Sequence, residues 1–443
     1  MNIRTILVLA AMTASSSALL ADETKNPEVV VPSVSNVRLS QAADRTVTVK
    51  YDLTNGPAIV IMDVMTNRGD GVWASIGAAN ITGGELRTCP QGAVNTKVEA
   101  GVDREITWRA DLAWPNHKIP AGNVRVGLTT YPLDNPPDYM VVSLAEVAAD
   151  RVRFYPSEDA VPGGVLANTS YRLTEILMRK IHAKGVTWTM GSFNEYKRDA
   201  DYESSHQVTL DADYYIGVFE MTQSQTFCII GTYDCFFDRD YLMRPAEQIS
   251  LARIRHGSNG KADSSHDYPA DPGEGSLLDS LRNLVGGQVA FDLPGEAQWE
   301  YACRSGYGEG LLNNGSLYSA ATAGTFPGRH QTTPGSRGRN APADSDPAVE
   351  GTAICGSYPP NAWGLYDMHG NVYEICLDKV KHSISDLNGA ICTVGENDNY
   401  IWRSGSWYQP MENCRSATRA NNGGATTSQK YLGFRLCAPA RIR

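Results

Sequence analysis

Asp367, Asn371 and Glu374 set three side-chain oxygens along one short stretch of chain, and Gly370 between them permits a tight turn that aims backbone carbonyls inward. Oxygens gathered in this way suit a hard cation, because Ca2+ takes several oxygen ligands at flexible geometry. The same residues equally suit an Asx-rich turn that ends a helix or strand and holds no ion. The nine cysteines form a second group. Cys89 stands apart in the N-terminal region, while Cys228, Cys235, Cys303, Cys355, Cys376, Cys392, Cys414 and Cys437 all follow residue 220. An even set in one region points to disulfides and leaves Cys89 as the odd one. Cys228 and Cys235 are close enough to close a small loop. Zinc is the competing use, weakened because no CxxC or paired Cys/His spacing occurs. His256, His266, His330, His369 and His382 show no ligand spacing either. A third group is Arg403, Arg415, Arg419 and Arg435. Buried against carboxylates, with Glu300 and Asp367 as partners to consider, they would pin loops. In the competing reading Arg415 and Arg419 line a cleft with Ser406 and Trp407 and bind an anionic substrate. Trp299, Tyr301, Trp363 and Trp407 offer a groove or, more simply, a core.

These groups sit in a chain of 443 residues with a net charge of -10, 42% hydrophobic and 20% charged. That length suggests two or three domains, and that balance supports ordinary cores. The acidic excess argues against nucleic-acid binding, whose general electrostatic component needs a Lys/Arg surplus. The first residues resemble a secretory signal over 1–21. Arg4 supplies the charge, Ile6 to Ala14 the short apolar run, and Ala18 to Ala21 the region before a cut at Asp22. The run is too short to span a bilayer, and no later stretch is long and apolar enough to do so. Export to a periplasmic, cell-surface or secreted location would also fit the cysteine count.

The elements that must position the groups follow from periodicity. Val37 and Leu39, then Val47, Val49, Tyr51 and Leu53, alternate with polar residues. Ala58 to Val64 is β-branched, and Ile106 with Trp108 and Val124, Val126, Leu128 continue the pattern. Short strands with Asn-Gly and Gly-Asp-Gly turns predict an all-β, immunoglobulin-like sandwich over 28–149. No catalytic constellation falls in it. Residues 150–170, with Pro156, Pro162 and Gly163-Gly164, read as a linker. A second domain then opens with β-like stretches at Leu173–Ile181 and from Val186. Pro294 to Arg304 carries the clearest helical signature, with Pro294 near the start and the Glu296 charge in the first turn. Ser276 to Leu284 is a second possible helix. The Gly-, Ser- and Pro-rich run from about 306 to 351 predicts long surface loops.

Five ordered segments carry a family resemblance. They are Met190-Gly-Ser192, then Tyr215-Ile-Gly-Val-Phe-Glu-Met-Thr-Gln223, then Arg244-Pro-Ala-Glu-Gln-Ile-Ser250. Asp292-Leu-Pro-Gly-Glu-Ala-Gln-Trp-Glu-Tyr-Ala302 follows. The last is Asn361–Glu374 (NAWGLYDMHGNVYE), continued by Arg403–Trp407, Asn413–Ala417 and Leu432–Leu436. In this order and spacing residues 171–443 resemble the formylglycine-generating enzyme, or sulfatase-modifying factor, family. The resemblance implies a loop-rich α+β fold related to the C-type-lectin-like scaffold. It implies a structural Ca2+ held by the Asp367 and Glu374 side chains and the Gly370 and Val372 carbonyls. The family's other calcium region falls near Asp344 to Val349, where the ligand pattern is not kept. It further implies a disulfide from Cys303 to Cys414.

The family's enzymes oxidise a sulfatase cysteine to formylglycine with O2 and a copper ion bound by two thiolates, which are soft enough to select Cu(I). Those cysteines follow the Gly-Ser-aromatic turn closely. Here Gly405-Ser406-Trp407 is followed by Tyr408–Asn413 with no cysteine. Cys414 comes later, and Met411 alone cannot replace a thiolate pair. No catalytic residue is assigned, and copper is not expected. Two expectations follow: an exported binding or accessory module for a protein, peptide or glycan, with a sulfatase as one possible partner; or an oxidase of the family's class working through an unrecognised metal site.

Overall fold

The computed structural model describes residues 31–443 except 68, 84–87, 121, 146–150, 194, 196–198, 233–234, 238–241, 308–327 and 331–350. The signal expected at 1–21 and the second calcium region at 344–349 lie outside the described residues. Two compact units emerge, the first built from residues up to 137 together with 153–168, the second from 138–152 together with 169–443. The chain between 137 and 169, where a linker was expected over 150–170, is thus divided between the two units. Tyr139–Ser143 is buried along its whole length and pairs with Glu175–Ile181, which places it in the second unit.

In the first unit two antiparallel sheets share one core. One runs Ser33–Gln41, Thr46–Thr54, Gly101–Arg109, Gln91–Gly92. The other is centred on Ala58–Asn67, flanked by Trp73–Ser75, Lys97–Val98 and Val124–Tyr131. Because side chains alternate along a strand, Val47, Val49, Tyr51 and Leu53 face inward together and meet Val60, Met62 and Val64 of the other sheet. Asn55 and Gly56 carry the chain from one sheet to the other with φ of 67° and 100°, a backbone conformation that Asn and Gly tolerate best.

The second unit is loop-rich, with three small sheets and few, short helices. Tyr139–Ser143, Glu175–Ile181, Tyr214–Gly217 and Cys437–Pro439 pair in that order, so the last described strand lies in the same sheet as the unit's first. Val186–Met190 pairs antiparallel with His206–Leu210. The third sheet runs Ala420–Gly424, Asn399–Arg403, Tyr373–Lys379, Leu432–Gly433. Both expected helices form. Leu277–Leu284 starts at Ser276, whose hydroxyl accepts from the Asp279 N–H, and it buries Leu277, Leu278 and Leu281. Glu296–Cys303 starts one turn before Glu300, and the Asp378 carboxylate accepts its first N–H at 2.6 Å. A further helix, Gln223–Ile230, opens with a reciprocal capping box between Thr222 and Gln225. None of the helices among the described residues is long and apolar enough to cross a membrane.

The surface-loop expectation for 306–351 lies mostly outside the described residues; Gly306 and Tyr307 are exposed as expected, but 328–330 are not. Gly328, Arg329 and His330 are buried, and Arg329 Nε donates to the Gly351 carbonyl at 2.9 Å. Composition reads the polarity of such a segment and misses that its backbone can be packed inside.

Candidate functional site

The strands Asn399–Arg403 and Ala420–Gly424 are joined by residues 404–419, and this loop holds most of the residues singled out by the sequence. It leaves the sheet at Ser404 and Gly405, both with positive φ (81° and 73°). Gly405 is required twice over, since a Cβ there would lie 2.5 Å from Cys414 Sγ and 2.6 Å from the Asn413 carbonyl oxygen. Beyond the turn a 3-10 segment, Met411–Cys414, turns the chain back so that Arg415 and Arg419 reach one polar cleft. The cleft has a volume of about 560 Å3 and is also lined by Asp199, Glu203, Tyr373, Asn413, Thr418 and Asn421.

Of the four residues expected at a cleft, two reach this one. Arg415 and Arg419 line it, whereas Ser406 and Trp407 are buried. The Ser406 hydroxyl accepts from the Tyr408 N–H. The Trp407 indole donates to the Lys430 carbonyl at 3.2 Å and packs edge-on to Phe237 and Tyr408. Trp299 and Tyr301 are buried as well, so three of the four aromatics serve cores, and Tyr301 packs edge-on to the half-buried Trp363.

Both arginines of the cleft are committed to the protein. Arg415 Nη1 meets Glu195 at 2.8 Å and Glu203 at 2.6 Å, its Nη2 meets Glu203 at 2.8 Å, and its Nε donates to the Glu412 carbonyl. Arg419 grips Glu296 in a two-pronged pair (2.7 and 2.8 Å), and its third nitrogen donates to the carbonyls of Tyr202 and Lys381. A rigid planar fork saturated in this way holds loops and leaves little for a substrate anion. The other two arginines behave alike. Arg403 binds Glu300 at 2.6 Å and also holds the Ser416 and Thr418 carbonyls of the loop. Burial alone would raise the Glu300 carboxyl, but Arg304 and Arg403 outweigh it and hold it below its ordinary range. Arg435 binds both oxygens of Glu374. Pinning was legible in the arginines, but Glu195, Glu203 and Glu296 were missed as partners. Glu296 could have been found, because it stands one helical turn before Glu300 on the same face.

Of the calcium set expected at the turn, the Glu374 side chain is already engaged. Glu374 spends both carboxylate oxygens on Arg435, and its Oε2 also accepts the Trp299 indole N–H at 2.6 Å. A cation using Glu374 would have to displace a buried guanidinium. The Gly370 carbonyl accepts from the Ser404 hydroxyl at 3.5 Å. Asp367, with φ of 55°, uses Oδ2 to accept the Gly356 N–H at 2.6 Å and leaves Oδ1 without a partner. Burial pushes its carboxyl up to about 7 against the pull of that N–H.

The cysteines form no disulfide among the described residues, correcting both expected pairs. Cys303 and Cys414 lie on either side of His369. The imidazole Nδ1 contacts the Cys414 carbonyl oxygen at 2.9 Å, and its Nε2 is 3.8 Å from Cys303 Sγ. Burial depresses that imidazole to about 4, so it is neutral near pH 7, and pushes the Cys414 thiol up to about 12. Cys228 is exposed, and Cys235 makes no bond to it. Sequence spacing alone does not reveal the ring between the Cys303 thiol and the Cys414 carbonyl.

Comparison with known proteins places this geometry. The model of the sulfatase-modifying factor enzyme 1-like domain matches residues 175–440. The formylglycine-generating enzyme of Mus musculus is 32% identical over 158 residues, covering 33% of this chain and 38% of that enzyme. The formylglycine-generating enzyme of Mycobacterium tuberculosis is 35% identical over 164 residues, covering 33% and 50%. The chain thus spans half or less of the length of these curated relatives. Among solved structures, the Treponema denticola variable protein 1 aligns over 60% of this chain and 96% of its own, at 20% identity and a TM-score of 0.44.

Proposed function

This chain belongs to the sulfatase-modifying factor enzyme 1-like domain family through residues 175–440, and from that premise we propose that it is an exported member lacking the copper-binding cysteine pair, serving as a binding or accessory module. The observation that carries this reading is the fate of the loop after Gly405-Ser406-Trp407. Its one thiol, Cys414, is fully buried against Gly405, and burial raises it to about 12. Cu(I) coordination needs thiolates that can meet at one ion. Among the described residues that line the cleft none is Cys, His or Met.

The cleft instead offers neutral hydrogen-bonding groups, Asn413, Thr418, Asn421 and Tyr373, beside arginines already neutralised by carboxylates. Such a lining suits the amides of a peptide or the hydroxyls of a glycan, with a sulfatase polypeptide as one such partner. The first unit, read as an immunoglobulin-like sandwich, would then be a second structural or partner-binding module.

Competition for Cu(I) against a chromophoric chelator tests the reading. The full chain and Cys414→Ser should retain the same copper. One Cu(I) per chain, lost in Cys414→Ser, would overturn it.

A further inference from the structure

Behind the Asp367 turn, three segments far apart in the chain bring two carboxylates and a thiol together inside the protein. Glu220 follows the strand Tyr214–Gly217, Cys355 lies on the stretch after residue 351, and Asp367 opens the turn. One ligand atom from each lies within 4.8 Å of the other two, and all three residues are 2% exposed or less. Cys355 Sγ stands 3.4 Å from Glu220 Oε2. We propose that Glu220, Cys355 and Asp367 form a buried binding site for a thiophilic divalent cation of the Zn2+ class.

Three observations support this assignment. The first is the orphan Oδ1 of Asp367, because a buried carboxylate oxygen without a partner costs stability unless something occupies it. The second is charge. Glu220, Asp367 and Glu374 cluster here, and Arg435 is spent on Glu374. Glu220 and Asp367 are left as buried carboxylates without an ion-pair contact among the described residues, and a shared cation would compensate both. The third is shape. Zinc bonds of about 2.3 Å to sulfur and about 2.1 Å to oxygen give a tetrahedral S···O edge of about 3.6 Å, close to the 3.4 Å found.

The surrounding bonds also prepare the groups. Asn371 Nδ2 holds Glu220 Oε2 at 2.8 Å, the Val372 N–H holds Oε1 at 3.1 Å, and Arg172 donates to the Cys355 carbonyl at 3.0 Å. These second contacts orient the ligands as outer-shell partners do in known metal sites. The thiol separates this site from an oxygen-only calcium site, because Ca2+ prefers oxygen donors and Zn2+ accepts sulfur.

Cobalt is the probe. Metal-stripped full-length protein is titrated with Co2+, and the near-ultraviolet thiolate-to-cobalt charge-transfer band is followed alongside native mass spectrometry. The expected result is one Co2+ per chain, displaced by Zn2+ and not by Ca2+. The band should vanish in Cys355→Ser and persist in Cys228→Ser, which removes the exposed thiol. Glu220→Gln and Asp367→Asn should each weaken Co2+ binding at least about tenfold, and they carry the test if Cys355→Ser does not fold. A folded chain that takes up no Co2+, or a band retained in Cys355→Ser, overturns the proposal, as does unchanged affinity in both carboxylate variants.

Discussion

Glu374→Gln separates the two uses that this residue could have. Glu374 and Arg435 are both 0% exposed, and the guanidinium takes both carboxylate oxygens at 2.7–3.1 Å. The substitution leaves a buried cation held by the Gly217 and Tyr366 carbonyls and one amide oxygen. Removing one partner of a buried pair costs about 3–5 kcal/mol. Glu220 and Asp367 also bear on Arg435 and can take up part of its charge, which favours the lower end of that range. At about 2–4 °C per kcal/mol for a domain of this size, the melting transition should fall by roughly 6–20 °C. Urea unfolding followed by tryptophan fluorescence is a suitable assay, because Trp299 donates to Glu374 and reports on the site directly. The double variant Glu374→Leu/Arg435→Met should recover most of the loss, since well-packed apolar residues can replace a buried pair. A loss below about 1 kcal/mol in Glu374→Gln, accompanied by disappearance of a Ca2+-dependent stabilisation, would refute this reasoning and make Glu374 a cation ligand.

Other perturbations follow from the same contacts. Asp378 is raised to about 7 by burial and then by Glu296. Its unfolded value is near 4, so the unfolded chain loses the proton first as pH rises. The stability this residue contributes is full below about pH 4 and is lost by about pH 7, a swing of order 4 kcal/mol. Asp378→Asn should flatten that slope in denaturation curves at pH 5 and pH 8, and an unchanged slope would show the carboxyl ionises normally. Gly405→Ala should cost about 2–4 kcal/mol by chemical denaturation, from the left-handed backbone and the clash with Cys414; a loss within about 0.5 kcal/mol would mean that the loop is not held as described. Arg415→Met leaves Glu195 and Glu203 buried with no guanidinium between them, so about 3 kcal/mol should be lost, recovered in part at low pH because burial already raises the Glu195 carboxyl. Thiol titration of the denatured, unreduced chain should find all nine cysteines reactive; seven or fewer would restore a disulfide.

What could be read from the sequence was periodic or local. The inward alternation of Val47, Val49, Tyr51 and Leu53 and the capped, amphipathic run 276–284 carry their structure in their own spacing, and both form. The four arginines of the last segment were readable as pins, because a guanidinium in an otherwise apolar region has to find a carboxylate. Which carboxylate it finds is a matter of long-range geometry. Arg415 and Glu203 are 212 residues apart, and nothing local joins them. Glu374 shows the same limit, since a partner 61 residues later, just past the adjoining strand Leu432–Gly433, holds its carboxylate. Cys303 and Cys414 were expected to bond to each other, but both contact the His369 ring, which is visible only in three dimensions. Glu220 carried a local signal that was passed over, an acid closing the apolar run Tyr215–Phe219.

Whether the family's oxidation survives in this chain is decided most directly by the mass of a peptide. The full chain is incubated with a sulfatase peptide carrying Cys-x-Pro-x-Arg, with copper and O2, and the peptide is weighed by mass spectrometry. The buried Cys414 and the thiol-free cleft lining predict a cysteine of unchanged mass at every time point. Catalytic accumulation of the formylglycine product, beyond one turnover per chain, would contradict the account.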